Sequence, residues 1–334
     1  MPVGALTRFF KPVLTLVRQR PILAVFEACL RCNSACGYCN LPLNEGRYEM
    51  SREEIGRVFR HLYEEGLRLV FVQGGEPLLR RDLPDLLEDL AAIGFRLTLI
   101  TNGTRLTAPL VTRLARLPLS YSISLDTLDR ERYRRIRGAD QLDQVLAGVS
   151  LLESVAAPKY LTCIVSEVNR DDVVSVLRFA RAKGFIPVVG AYHWGLERYG
   201  KVDALLQYDR AQAAAVFRAV AESGLVPRGY YRQYLQDNIE WLEGRPLERC
   251  DAGRYSIAID ASGNVAPCLA QPHAGNLLEM RLPEILARFD RGRVEACSAA
   301  SGCNMLCSRV VGSILRHPVT ALRTPLTVEP EVRA

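Results

Sequence analysis

Short apolar, β-branched runs alternate with longer amphipathic stretches from about residue 22 to about residue 193, the signature of repeated βα units around a parallel sheet. Runs at 22–28, 69–73, 96–101, 119–125, 160–166 and 186–192 predict strands, and stretches at 52–65, 83–93, 109–117, 141–153 and 171–183 predict helices. Ser51 followed by Glu54 is a capping box for the first of these helices, and Gly66 is its stop. Six strands with crossover helices suit an open sheet or a partial barrel, and in either one ligands collect at the carboxyl ends of the strands. After Gly195 the pattern changes to helix-like segments at 210–222 and 234–243. A hairpin follows, with runs at 255–260 and 265–267 flanking the turn signal Ala261-Ser262-Gly263-Asn264. The expected division is an amphipathic segment over 1–20, a barrel core over 21–195, a helical connection over 196–245, a smaller domain over 246–310 and a tail over 311–334.

Composition adds a compartment and a chemistry. With 334 residues, 49% of them hydrophobic, the chain can bury a large core. Its net charge of +6 is spread over many arginines and makes no case for nucleic acid. No apolar run is long enough to cross a bilayer, and the first residues lack the pattern of a secretory signal, so a cytoplasmic setting is expected. In a reducing compartment, closely spaced thiols point to metal binding or chemistry before disulfides. Nine of the ten cysteines fall in two groups, Cys29 to Cys39 and Cys250 to Cys307, while Cys163 stands alone.

Cys32, Cys36 and Cys39 have the spacing C-x3-C-x2-C directly after a predicted strand. Three thiolates from one short loop can hold three irons of a four-iron cluster and leave the last iron open to a small ligand. The competing reading is structural zinc on Cys29, Cys32, Cys36 and Cys39, although zinc knuckles normally stand much further apart. Cys29 reads better as a small buried strand-end residue. With Tyr38 just before the last cysteine, the motif resembles that of the radical S-adenosylmethionine (SAM) superfamily. The resemblance, over residues 20 to 195, implies an α/β fold built on a partial (β/α)6 TIM-type barrel. It also implies a SAM-binding 4Fe-4S cluster and reductive cleavage of SAM to a 5'-deoxyadenosyl radical that abstracts hydrogen from a substrate.

Gly74-Gly75-Glu76-Pro77 follows the second strand, and in the resembled family this motif meets the amino group of SAM, which implicates Gly74, Gly75 and Glu76. Ser122, Ser124 and Asp126 alternate along the end of the fourth strand, where the family binds ribose and the methionine carboxylate; strand-end capping is the plainer alternative. Asn102, in Thr101-Asn102-Gly103, is placed near the cofactor by the same resemblance, or else simply forms a turn. Arg137 matches an arginine that related enzymes set against the cofactor carboxylate. Val165 could pack on adenine, with core packing as its default.

Cys250, Cys268, Cys297, Cys303 and Cys307 follow the barrel and, with Gly275-Asn276, resemble the SPASM or Twitch auxiliary-cluster extensions, a small C-terminal α+β iron-sulfur domain. Val294 stands where the SPASM pattern has a further cysteine, and no cysteine follows Cys307. One auxiliary 4Fe-4S cluster is therefore expected, on Cys250, Cys268, Cys307 and one of Cys297 or Cys303, with zinc on the same residues as the alternative. Leu269 occupies the place where several related dehydrogenases carry an acid after the hairpin cysteine. Cys163, Tyr192, His193 and Tyr255 are substrate-facing candidates whose default role is packing.

Leu6, Phe9, Phe10, Val13, Leu14 and Val17 share a helical face beside basic residues, which suits docking on the barrel or peripheral membrane contact; Val310, Val311, Ile314 and Leu315 pose the same question. The expected partners are SAM, an unidentified substrate and an external electron donor such as flavodoxin or ferredoxin. The cluster motif starts too early to leave room for an N-terminal peptide-recognition module, so a small metabolite, sugar or lipid-like substrate is favoured over the peptide of a SPASM-type maturase. Two further readings are a non-catalytic iron-sulfur or zinc scaffold, which would have no need of Glu76 and the Ser122–Asp126 face, and an RNA-modifying enzyme, for which no RNA-binding module or strongly basic region is evident.

Overall fold

The computed structural model describes residues 15–44, 46–194, 203–300 and 302–328. Six parallel strands form the body of a single open sheet: β1 (Leu23–Cys29), β2 (Leu69–Gly74), β3 (Arg96–Thr101), β4 (Leu119–Ser124), β5 (Lys159–Val165) and β6 (Ile186–Ala191). Each pairs with its predecessor, and the helices between them cover one face, the arrangement of a partial barrel. Alternation along β1 sends Ala24, Phe26 and Ala28 toward the helices, where the Phe26 and Phe59 rings meet tilted at 60° with centroids 5.0 Å apart. Val25 and Glu27 face the other way.

Helix α1 (Arg52–Glu65) begins at the expected capping box: the Ser51 side chain accepts from Glu54 N, and Glu54 Oε2 accepts from Ser51 N at 2.8 Å. It stops at Gly66, whose φ of 117° is left-handed. α2 (Leu83–Ile93), α3 (Ala108–Leu114), α4 (Arg130–Arg137), α5 (Leu142–Leu152) and α6 (Val173–Ala182) complete the crossovers, all but α4 close to the expected spans. The charged run 130–137 forms that additional helix, capped by Asp129.

After β6 come α7 (Arg210–Glu222) and α8 (Tyr230–Leu242), then the expected hairpin, β7 (Ser256–Ile259) and β8 (Asn264–Ala266), and a short β9 (Gly275–Asn276). The hairpin does not form a sheet of its own. β7 pairs in parallel with β1, Val25 opposite Ala258, so the strand order is β6-β5-β4-β3-β2-β1-β7-β8-β9. Three helices end the described chain: α9 (Leu282–Ala287), α10 (Arg291–Ala299) and α11 (Leu306–Arg316), the last followed by a short turn of helix at Pro318–Leu322. Most of the amphipathic 1–20 segment lies outside the described residues; Val17, within them, is exposed. No helix among the described residues is long and apolar enough to cross a membrane.

Candidate functional site

β1 delivers its cysteines to the carboxyl end of the sheet. Cys29 closes the strand fully buried, its thiol donating to Glu76 O at 3.2 Å, and burial pushes that thiol up to about 12. The loop beyond is clamped from two sides. On the β2 side, Gly75 N donates to Cys29 O and Glu76 N to Arg31 O, both at 2.8 Å. On the α4 side, Ala35 N donates to Arg137 O at 2.9 Å and Gly37 N to Ile136 O at 3.0 Å. Glycine is required at both seams: a Cβ on Gly75 would lie 2.1 Å from Arg31 O, and one on Gly138 2.3 Å from Ala35 O. Side chains complete the clamp, Asn102 Nδ2 donating to Asn33 Oδ1 at 2.8 Å and Gln141 Nε2 to Asn33 O at 3.1 Å. Burial raises the Cys32 thiol to about 11 and the Cys39 thiol to about 12, so binding a cation there must displace their protons.

Glu76 is wholly buried, and its carboxylate is filled by its own chain. Oε1 accepts from Thr101 Oγ1 at 2.6 Å and Leu78 N at 3.0 Å, and Oε2 from Asn102 N at 2.7 Å. Burial raises its pKa; those donors oppose the rise. The carboxylate thus ties β2 to the turn that ends β3, and the same turn holds the cysteine loop through Asn102.

Asp126 is equally buried. Its Oδ1 accepts from Ile164 N at 2.9 Å; its Oδ2 takes Arg137 Nη2 at 2.6 Å and the Tyr38 hydroxyl at 3.2 Å. Arg137, also buried, places Nη1 4.0 Å from the Cys36 sulfur and its guanidinium 5.7 Å from the Tyr38 ring centre. Its Nε has no hydrogen-bond partner. The Ser122 hydroxyl pairs with Thr162 at 3.0 Å, and Ser124 is half-buried one step nearer the strand end. The structure therefore brings Tyr38, Gly74, Gly75, Glu76, Asn102, Asp126 and Arg137 against the cysteine loop, with Ser122 and Ser124 lower on β4. Val165 is fully buried in the core, and Cys163 is buried there with its thiol 3.5 Å from Asp126 O.

The second cysteine group gathers about the hairpin. Because β8 returns antiparallel to β7, Cys250 before β7 and Cys268 after β8 emerge at the same end, where Cys250 N donates to Ser298 Oγ at 2.8 Å and Ala270 N to Cys268 Sγ at 3.4 Å. Burial lifts Cys268 to about 12 and Cys307 to about 11. Cys297 goes the other way, to about 6, because Cys303 donates a hydrogen bond to its sulfur; Cys303 rises correspondingly. No group of three His, Cys, Asp or Glu side chains among the described residues is drawn tightly enough to hold a single metal ion. Cys307 packs with Leu269, itself buried, onto Val25 and Phe71 on the open face of β1 and β2.

Between the two groups lies a residue that the motifs did not single out. Glu27, 1% exposed, follows Val25 on the same face of β1 and raises the Cys39 thiol by its charge. It lines a cavity of about 430 Å³ with Asn40, Arg47, Asp260 and His273, closed on one side by the hairpin turn. An acid in an otherwise apolar strand was the sequence signal for it. Of the other candidates, Tyr192 lies tilted against Tyr38 with centroids 5.8 Å apart, Ile22 N donates to Tyr255 O, and His193 is half-buried edge-on to Trp241, its pKa driven down to about 4 by desolvation.

Comparison with known proteins agrees with this geometry. The radical SAM superfamily profile matches residues 27–180, and that of the SPASM iron-sulfur cluster-binding domain matches residues 250–308. A probable GTP 3',8-cyclase of Pyrococcus abyssi is 34% identical over 53% of this chain and 52% of its own. One from Methanothermobacter thermautotrophicus is 27% identical over 82% of this chain and 92% of its own. The chain thus spans about half the length of the first of the curated relatives it matches. Among solved structures, Streptococcus suis SuiB bound to S-adenosylmethionine superposes with a TM-score of 0.67 at 19% identity, over 86% of this chain and 71% of that one. Native anSMEcpe with bound AdoMet gives 0.67 at 17% identity, over 83% and 84%. With the two profiles come the cofactors expected of them: a SAM-binding 4Fe-4S cluster, SAM, and an auxiliary iron-sulfur cluster. The chain belongs to the radical SAM superfamily, its barrel followed by a SPASM domain.

Proposed function

We propose that this enzyme cleaves SAM at the loop of Cys32, Cys36 and Cys39 and directs the radical onto a small polar metabolite held in the cavity beside Glu27. The observation that carries the reading is the placement of that cavity, with a buried carboxylate, between the two cysteine groups. When bound, the cluster supplies one electron to SAM, yielding methionine and the 5'-deoxyadenosyl radical that takes hydrogen from the substrate. The chain's own residues position the reactants. Arg137, fixed by Asp126, would offer its unpartnered Nε to the methionine carboxylate, and Tyr38 packs against the guanidinium. Glu76 and Asn102 act through the backbone they hold, and Ser124, with Ser122 behind it, offers hydroxyls to the ribose. Cys250, Cys268, Cys307 and one of Cys297 or Cys303 hold the auxiliary cluster, and a low-potential donor such as flavodoxin or ferredoxin supplies the electron.

A small substrate fits the cavity, whose volume is in the usual range for metabolite sites. A nucleotide is the second reading, because curated relatives are named as probable GTP 3',8-cyclases. Against it, the lining provides Arg47 and His273 as its basic groups beside the carboxylates Glu27 and Asp260, thin provision for a triphosphate. Anaerobic reconstitution tests the assignment. Replacing Cys32, Cys36 and Cys39 with Ala should abolish 5'-deoxyadenosine formation and remove about four irons per chain while leaving the C-terminal iron. Equal activity in the two proteins would reject the reading. Consumption of GTP by the wild type would select the nucleotide.

A further inference from the structure

Helix α11 packs with its polar side inward. Ser308, Arg309, Gly312 and Ser313 are its buried positions, whereas Ile314 and Leu315 are 39% and 40% exposed. A helix free to choose would bury its apolar stripe, so something on the inner side favours Arg309. That side faces the C-terminal cysteines.

Arg309 is 6% exposed. Its Nη1 donates to Glu248 O at 2.6 Å and its Nη2 to Cys303 O at 3.4 Å, both uncharged carbonyls, and its Nε has no hydrogen-bond partner. Among the described residues no carboxylate forms an ion pair with it. The nearby acids are engaged elsewhere: Glu248 with Arg316 at 3.0 Å and His317 at 2.7 Å, Asp251 with Arg316 and with Arg249 at 3.6 Å. Asp237 is raised by burial and bonded to Gln233, and half-buried His193 is held neutral by desolvation. A guanidinium does not shed its proton, so burying one without an anion is strongly unfavourable. The C-terminal thiols lie on this side: Nη2 contacts the Cys303 carbonyl, and the Glu248 carbonyl that takes Nη1 stands two residues before Cys250. Beside it, Asn304 is fully buried with Nδ2 unpartnered, a donor that a sulfide or thiolate sulfur would satisfy.

We infer that Arg309 is the counter-cation of the auxiliary cluster, neutralising the charge of the cluster and its thiolates and thereby holding its reduction potential up. The inference rests on the ligand set proposed above. It also separates the two sites: Arg137 approaches Cys36 with its charge already cancelled by Asp126, whereas Arg309 brings a whole positive charge to the second site. Arg309 is a positioning residue here, acting on the cluster and on no substrate.

The test uses the reconstituted full chain carrying Ala at Cys32, Cys36 and Cys39, so that only the auxiliary cluster is read. Iron and sulfide are counted, and the cluster is titrated against potential by electron paramagnetic resonance, for the parent, Arg309→Gln and Arg309→Lys. Removing a unit charge so close should lower the ratio of reduced to oxidised cluster about tenfold at a fixed ambient potential, about 59 mV for one electron. Arg309→Lys, which keeps the charge but not the fork, should stay within about threefold of the parent. Loss of iron from the Gln variant with retention in the Lys variant leads to the same conclusion. A Gln variant titrating with the parent, or a Lys variant displaced or depleted as far as the Gln variant, overturns the inference. A parent without C-terminal iron overturns the ligand set and the inference with it, and the iron count tells that failure from the other.

Discussion

Asp126→Asn isolates the contact on which the first cysteine loop most depends. The substitution preserves shape and removes one charge from a pair in which the side chains of Arg137 and Asp126 are 8% and 0% exposed and 2.6 Å apart. Asparagine can keep its oxygen toward Ile164 N, but its amide then meets Arg137 with a donor where an acceptor was. Stranding one partner of a buried pair costs about 3–5 kcal/mol, a large share of a stability of about 5–15 kcal/mol. The loop should loosen as well, because the backbone of Arg137 and Ile136 holds Ala35 and Gly37. Urea unfolding followed by circular dichroism, with iron counting on reconstituted protein, reads both effects. Since the cost is that of an uncompensated cation, Arg137→Gln added to Asp126→Asn should restore at least half of the lost stability, a coupling that a double-mutant cycle measures. A loss below about 1 kcal/mol, or a double variant no better than the single, would show that the pair does not carry the loop.

Gly138→Ala places a Cβ 2.3 Å from Ala35 O at a φ of 66°; beyond about 1–2 kcal/mol of left-handed strain, it should shift the cysteine loop and lower 5'-deoxyadenosine formation at least about tenfold while C-terminal iron stays. Normal activity and iron in that variant would mean that the seam with α4 is not needed. His193, lowered to about 4 from an unfolded value near 6.5, favours folding above pH 6.5 and loses that contribution as pH falls toward 4. Between pH 7 and 5 the wild type should lose about 2 kcal/mol that His193→Gln does not lose. A gap between the two urea midpoints that stays constant across that range refutes it.

How far the sequence reveals these features depends on how local their causes are. The capping box of Ser51 and Glu54 and the stop at Gly66 involve neighbours in the chain, and α1 has the expected bounds. α8 starts at Tyr230, earlier than its own pattern indicates, because Tyr230 N is met by Thr324 Oγ1 at 2.8 Å from far along the chain. The same distinction applies at the site. The cysteine spacing and the Gly-Gly-Glu-Pro turn can be read directly, but a carboxylate at a strand end does not disclose its donors: those of Glu76 include Thr101 and Asn102, and those of Asp126 include Ile164 and Arg137. Hydropathy misleads in α11, where the apolar positions are partly exposed and Arg309 goes inside. A polar face is buried only when its partner is polar, and that partner is assembled from segments far apart in the chain.

The pairing of β7 with β1 is of the same kind, and the geometry of the proposed site depends on it. Side chains on one face of a strand recur about every 7 Å. Val25 meets Leu269 and Cys307, Glu27 comes one repeat later in the cavity, and the loop of Cys32 to Cys39 begins just past the strand end. β1 therefore sets the distance between the two cysteine groups and places one carboxylate between them. A one-residue slip would turn Glu27 toward the helices and Phe26 into the cavity. As an edge strand, β1 would have one partner to resist that slip; with Val25 matched to Phe71 on one side and to Ala258 on the other, it has two. On this argument the hairpin serves the barrel site even apart from its cysteines, by fixing the register of the strand that carries Glu27.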